Sequence, residues 1–207
     1  MSHYCTYFDR GYLVQGLALW ASLAKHDATA VLWVLALDAE TAEMLRAQRE
    51  PRLRVVELAE LLAADIELTA AQAGRPKNEF IFTLTPCLVR WLLRTQVEIG
   101  AAGALAYLDA DLFFFADPAP IWSELDRGSV LVVPHRYPAW HDDGAWYGKF
   151  NVGVLVFRDD RDGRACLEWW RGRCLESCRL ATDGSCYGDQ KYLDECCLLY
   201  TSPSPRD

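Results

Sequence analysis

Apolar positions along the chain fall into short continuous runs and longer stretches at helical spacing. HYCTYFD, residues 3–9, reads as a strand ending at Asp9, with Gly11 permitting the turn behind it. Over 13–25, Leu13, Gly16, Leu17, Trp20, Ala21 and Ala24 recur at helical spacing and predict a helix. VLWVLAL, 31–37, is a continuous apolar run, the mark of a strand buried on both faces. Asp38 then caps a predicted helix over 39–48, and LRVVEL, 53–58, predicts a third strand. Strand, helix, strand, helix, strand is the pattern of an α/β protein with a mostly parallel central sheet flanked by helices.

Residues 59–79 are rich in Ala, Glu and Gln and predict helix, broken at Gly74-Arg75-Pro76. A helix follows over 80–94, with Thr83, Thr85 and Pro86 in its early turns. The run 104–108 predicts a buried strand, followed at once by Asp109 and Asp111. Pro118 and Pro120 mark a turn, and 121–125 a short helix. SVLVVP, 129–134, and NVGVLVF, 151–157, predict strands. Between them HRYPAWHDDGAWYGK, 135–149, is aromatic, polar and turn-rich, which suits a loop over a site. A helix is expected over 163–178, with Leu167, Trp170, Cys174 and Cys178 on one stripe, and another beginning within 188–195.

The ending CCLLYTSPSPRD continues no pattern and has a disordered-type composition. It looks like translated adapter read-through. The expected organisation is one domain over 1–195, lacking its C-terminal part, with 196–207 set aside from the fold.

Composition narrows the classes. A chain of 207 residues, 52% apolar and 24% charged, supports one sizeable globular core. A net charge of −8 argues against a nucleic-acid binder, which wants a basic stripe. It leaves room for a phosphate-bearing ligand whose charge a metal answers. The start has no basic segment followed by an apolar run, and no stretch suits a bilayer span. A cytoplasmic protein is expected, with peripheral membrane contact left open. Eight cysteines form no Cys-x-x-Cys pair and meet no His cluster, which speaks against structural zinc. On the 163–178 stripe they read as small buried hydrophobes.

The candidate chemistry lies at strand ends. Carboxylates are costly to bury without a cation or donors to answer them, so Asp109 and Asp111 belong where the strand 104–108 stops. Residues i and i+2 of an extended segment point the same way, so both carboxylates can share one divalent ion. A turn cap at Asp109 and a solvated Asp111 fit the same two residues about equally. Asp9 ends the first strand, Asn151 opens NVGVLVF, and Gly188, Asp189 and Gln190 precede the last helix. Ligands of open α/β sheets bind beyond the carboxyl ends of strands. A strand-end Asp-x-Asp there suits Mg²⁺ or Mn²⁺, which keep open positions for substrate phosphates.

YLDADLFFFADPAPIW resembles the Asp-x-Asp segment of GT-A-fold nucleotide-sugar glycosyltransferases, nearest to glycosyltransferase family 8. KFNVGVLVF resembles that group's Asn-x-Gly strand, and YGDQKYLDE its Asp-Gln segment. TYFDRGYLVQGLALWASLAKH resembles its first strand, loop and helix. The elements stand in the right order across about residues 4–195.

The resemblance implies metal-dependent transfer of a sugar from a nucleotide diphosphate sugar to a hydroxyl acceptor, a glycan or a lipid-linked glycan, as in polysaccharide biosynthesis. It implies Asp109 and Asp111 on Mn²⁺ or Mg²⁺, with Asp109 also near the ribose. Tyr7, Asp9 and Tyr12 would shape the base and ribose pocket. Asn151 and Gly153 would face the sugar or acceptor, and Asp189 and Gln190 the anomeric carbon. Plain alternatives remain beside these roles: Asp9 and Asn151 as turn or strand caps, Asp189 as the N-cap of the last helix, Gly153 as a close-packing residue.

Two departures stand out. Family members carry a third metal ligand, a histidine, in a C-terminal segment, and neither His135 nor His141 occupies that motif. FIFTLTPCL, 80–88, lacks the aromatic-x-Arg pattern, leaving Lys77 as a substitute for the phosphate-facing charge. Two other readings fit the same residues. One is a phosphohydrolase of the haloacid dehalogenase type, with Asp109 as nucleophile. The other is a nucleotide-sugar-binding fragment without activity.

Overall fold

The computed structural model describes residues 1–96, 98–99, 103–138, 147–181 and 186–200, except the side chains of 197–200. The first half runs β1 (Ser2–Phe8), a 3-10 turn (Arg10–Tyr12), α1 (Leu13–His26), β2 (Ala30–Ala36), α2 (Ala39–Ala47) and β3 (Leu53–Glu57). Three helices follow: α3 (Leu58–Ala64), α4 (Ile66–Gly74) and α5 (Lys77–Thr95). The second half is β4 (Ala104–Leu108), α6 (Ala119–Leu125), β5 (Val130–Pro134), β6 (Phe150–Arg158), α7 (Arg161–Glu176) and α8 (Leu193–Tyr200).

The strands form one six-stranded sheet in the order β3-β2-β1-β4-β6-β5. The pairs β3–β2, β2–β1 and β1–β4 are parallel, whereas β6 runs antiparallel to both β4 and β5. The mostly parallel α/β sheet expected from the sequence is therefore present. The reversal of β6 matters for the site, because it brings the start of that strand to the end of β4.

Alternation along the strands builds a core on each face of the sheet. Cys5, Val31, Trp33, Leu35, Leu105, Tyr107 and Phe157 pack with α3, α4, α5, α7 and α8. Tyr4, Phe8, Leu32, Val34, Ala106 and Val156 pack with α1, α2 and α6. All seven residues of β2 are buried, as its unbroken apolar run requires. Cys174 and Cys178 are buried in the first core and form no disulfide, in keeping with their place on the apolar stripe.

Caps set the helix boundaries. Asp38 Oδ1 accepts from the Thr41 N–H at 2.7 Å, starting α2 as expected. Asp65 Oδ1 accepts from the Leu68 N–H at 3.1 Å and divides a region read as continuous helix into α3 and α4. Asp160 Oδ1 accepts from the Gly163 N–H at 2.8 Å, so α7 starts earlier than its apolar stripe suggests. Gly188 has φ +58°, and residues 188–192 form a turn, so the last helix begins only at Leu193. That helix runs past the boundary drawn at residue 196. Cys196 is buried in the core and disulfide-bonded to Cys166 of α7, while 201–207 lie outside the described residues. Among the described residues no helix is long and apolar enough to cross a membrane.

One packing contact makes a direct prediction. A Cβ at Gly163 would lie 2.2 Å from the Arg158 carbonyl oxygen and 3.0 Å from that of Ser129, both backbone atoms. Gly163→Ala is expected to destabilise the protein by about 1–3 kcal/mol, the usual range for overpacking. Urea unfolding would read this, and a change below about 0.5 kcal/mol would mean that the α7 start shifts freely.

Candidate active site

The ends of β1 and β4 and the first turns of α5 enclose a cavity of about 360 Å³, within the ordinary range for small-molecule sites. Tyr7, Phe8, Asp9 and Tyr12 line it from the β1 end. Tyr107, Asp109, Ala110 and Asp111 line it from the β4 end, and Leu37, Asn78, Ile81 and Phe82 complete the wall. Five residues singled out in the sequence, Tyr7, Asp9, Tyr12, Asp109 and Asp111, thus share one cavity.

Asp109 sits on the same sheet face as Leu105 and Tyr107, toward α5. Its Oδ1 accepts from the Tyr107 hydroxyl at 2.9 Å, and its backbone N–H donates to the Gly153 carbonyl at 2.9 Å. Burial pushes its carboxyl above the usual range. The Tyr107 hydroxyl works against that shift, and the Asp111 charge adds to it. Among the described residues neither Asp109 nor Asp111 takes part in an ion pair.

Gly153 and Asn151 sit against Asp109 because β6 is antiparallel to β4, with Leu108 opposite Val154. A Cβ on Gly153 would be 3.3 Å from Asn151 Oδ1 and 3.6 Å from Asp109 Oδ2. Asn151 Oδ1 also accepts from the Gly153 N–H at 3.0 Å. These two residues border Asp109 without lining the cavity itself.

Asp189 is buried in the 188–192 turn, with its backbone carbonyl accepting from the Trp170 indole N–H at 2.8 Å. Burial raises its carboxyl to about 7; a bond to the Thr85 side chain offsets part of this, and the Asp109 charge adds to the rise. With the last helix starting at Leu193, Asp189 is not its N-cap. Gln190 points elsewhere, its Nε2 donating to the Tyr147 carbonyl at 2.6 Å. Asp9 does act as a cap: its Oδ1 accepts from the Gly11 N–H at 3.0 Å, and its Oδ2 pairs with Lys77 Nζ at 2.9 Å.

Sequence reasoning missed Tyr107, Thr85 and the α5 wall. Tyr107 was within reach, since it lies two residues before Asp109 in a strand and must share its face. Thr85 carried no such signal. Its Oγ1 lies 3.1 Å from the Tyr7 hydroxyl, one helix meeting one strand across the core. His135 follows β5, and its ring stacks on Tyr137 at 4.6 Å between centroids. Trp140, His141 and Trp146 of the expected aromatic loop lie outside the described residues.

The Asp189 environment predicts a pH dependence of stability in metal-free protein. A carboxyl raised from its ordinary value to about 7 is costly when ionised. Wild type should therefore lose stability relative to Asp189→Asn as pH rises from about 4 to 7, with a plateau above, by roughly 2–4 kcal/mol. Urea melts in EDTA across that range would read the gap. A gap independent of pH would mean that Asp189 stays ionised throughout.

Two hard carboxylate oxygen donors that face one cavity and, among the described residues, join no ion pair fit a divalent ion that takes its other ligands from water and substrate. Among the described residues no group of three His, Cys, Asp or Glu side chains is arranged to hold a metal, which leaves the Asp109–Asp111 pair as the candidate donors there.

Comparison with known proteins agrees with this architecture. The uncharacterized protein YfnF of Bacillus subtilis (strain 168) is 32% identical over 200 residues, covering 93% of this chain. The chain spans less than two thirds of that protein, 64% of its length. Mouse xyloside xylosyltransferase 1, in its apo form, superposes with a TM-score of 0.61 at 15% identity, over 96% of this chain and 82% of its own. The galactosyltransferase LgtC, solved with donor and acceptor sugar analogs, gives 0.57 at 18% identity, over 96% and 70%. No family model matches the chain. The fold is the GT-A glycosyltransferase fold. On it Asp109 directly follows β4, the fourth strand of the chain.

Proposed function

We propose that the protein is a hexosyltransferase-like glycosyltransferase moving a sugar from a nucleotide diphosphate sugar to a hydroxyl of a glycan or lipid-linked glycan, in the cytoplasm. The observation that carries this reading is the Asp109–Asp111 pair, without an ion-pair partner among the described residues, on the wall of a cavity of about 360 Å³ in a GT-A fold. Asp109 and Asp111 would hold Mn²⁺ or Mg²⁺, which when bound offsets the charge that builds on a departing diphosphate. Tyr7 and Tyr12 supply aromatic walls for the nucleoside, and Asp9 an acceptor for its hydrogen-bond donors. Tyr107 keeps the Asp109 carboxyl turned through its 2.9 Å bond. Asn151 and Gly153, beside Asp109, would meet the sugar or the acceptor.

Asp189 lies close enough to Asp109 for the Asp109 charge to raise its carboxyl. Near neutral pH it suits a proton acceptor for the incoming hydroxyl if transfer inverts the anomeric centre. If transfer retains configuration, Asp189 and Gln190 instead stabilise an oxocarbenium-like state, and the leaving phosphate takes the proton. Gln190 would first exchange its bond to the Tyr147 carbonyl for the sugar.

Calorimetric titration with UDP and GDP, with and without Mn²⁺, tests the reading. Wild type is expected to bind one of them in a metal-dependent way, and Asp111→Ala to lose that dependence. Metal-independent binding would argue against it. Because the chain spans 64% of its relative, donor binding without transfer would favour the binding-fragment reading.

A further inference from the structure

Charge around the cavity is unbalanced for the donor it is proposed to take. Among the described residues its lining includes three carboxylates, Asp9, Asp109 and Asp111, and no Lys, Arg or His. A nucleoside diphosphate brings more negative charge, and one divalent ion between Asp109 and Asp111 answers only part of it.

Lys77 is the cation held against this wall. It opens α5, whose first turn also contributes Asn78 to the lining, and its Nζ reaches Asp9 Oδ2 at 2.9 Å. The ion pair therefore spans from the end of β1 to the start of α5, the two walls between which a nucleotide enters. Its side chains are 76% exposed at Lys77 and 28% at Asp9. Exposed pairs of this kind contribute little, typically about 0–1 kcal/mol, so parting them costs little. A charge-assisted bond from an ammonium to a phosphate oxygen is roughly twice as strong as a neutral one.

We propose that Lys77 is a donor-binding residue that exchanges Asp9 for the diphosphate when the nucleotide enters. The inference rests on the glycosyltransferase reading above. In the free protein Lys77 neutralises Asp9. In the complex Asp9 accepts from the nucleoside, and Lys77 meets the phosphates from the α5 wall while Asp109 and Asp111 act through the metal from the β4 end. One ion pair is thus replaced by two substrate contacts.

The test is calorimetry with Mn²⁺ on wild type, Lys77→Met and Lys77→Arg, using UDP, GDP and the matching nucleosides uridine and guanosine. Lys77→Met keeps an unbranched apolar side chain at an exposed position, and circular dichroism would check its fold. It is expected to bind the diphosphate about tenfold more weakly while the nucleoside affinity stays within about twofold. Lys77→Arg should stay within about threefold of wild type for both. The Lys77→Met deficit should shrink in 0.5 M salt, where exposed charges are screened beyond about 4 Å. Equal losses for nucleoside and diphosphate, or no loss, would overturn the role of Lys77 while leaving the glycosyltransferase reading intact. Wild type binding neither UDP nor GDP would overturn both.

Discussion

Arg171→Met is expected to destabilise the protein by about 3–5 kcal/mol, the range seen when one partner of a buried ion pair is removed. Arg171 and Asp65 have side chains only 7% and 6% exposed. Arg171 Nη2 donates to both carboxylate oxygens of Asp65 at 2.7 Å, and its Nε reaches Oδ2 at 3.2 Å. Nη2 also reaches Glu67 Oε2 at 2.9 Å. The pair ties α7 to the junction of α3 and α4, where Asp65 also starts α4 through its bond to the Leu68 N–H. Burial would raise the Asp65 carboxyl, but the Arg171 bonds and the Leu68 N–H overcome it and hold the group below its ordinary value.

The sign of the pH effect follows. A depressed carboxyl contributes stability that is present above its unfolded pKa and is lost as pH falls through the folded one. The gap between wild type and Arg171→Met should thus be full at pH 7 and narrow in acid. Urea unfolding at neutral and acid pH would measure it. Adding Asp65→Asn to Arg171→Met should recover part of the loss, since the buried Asp65 charge is then no longer left to Arg90 alone, 3.9 Å away. A neutral-pH loss below about 1 kcal/mol would mean that water reaches Asp65 freely.

That pair also marks the limit of what the sequence reveals. Asp65 and Arg171 lie 106 residues apart, and neither has a local pattern that names the other. What was legible is local. The strand Ala104–Leu108 was read to the residue, because a five-residue buried run bounded by Gly103 and Asp109 has few other solutions. The alternation that placed Asp109 and Asp111 at its end needed only the strand period. The α5 wall was not legible, because helical spacing shows which residues are apolar and not whether they face a core or a cavity. Ile81 and Phe82 face a cavity. The neighbourhood of Asn151 and Asp109 depended on β6 running antiparallel, a direction that the pattern of NVGVLVF does not encode. At Asp189 the cap alternative fails on Gly188, whose left-handed backbone delays the helix to Leu193.

Asp109→Asn should separate activity from stability. If the Asp109–Asp111 pair holds the metal of a sugar transfer, losing one anionic ligand removes electrostatic stabilisation of the leaving diphosphate, and kcat should fall by roughly 10²–10³-fold or more. Stability of the metal-free protein should move the other way. Burial pushes the Asp109 carboxyl up and the Asp111 charge adds to it, so its ionised form is costly near neutral pH and the amide is not. The amide also keeps an oxygen to accept the 2.9 Å bond from the Tyr107 hydroxyl. Tyr107→Phe is the matching control. It leaves both carboxylates in place and removes only the group that turns one of them, so its loss of kcat should be smaller, about tenfold. Transfer assays with Mn²⁺ beside urea melts in EDTA would read both quantities. A variant less stable than wild type and equally active would mean that Asp109 serves the fold. A variant at least as stable and nearly inactive is what a carboxylate kept for a metal predicts, because its charge is a burden until the ion arrives.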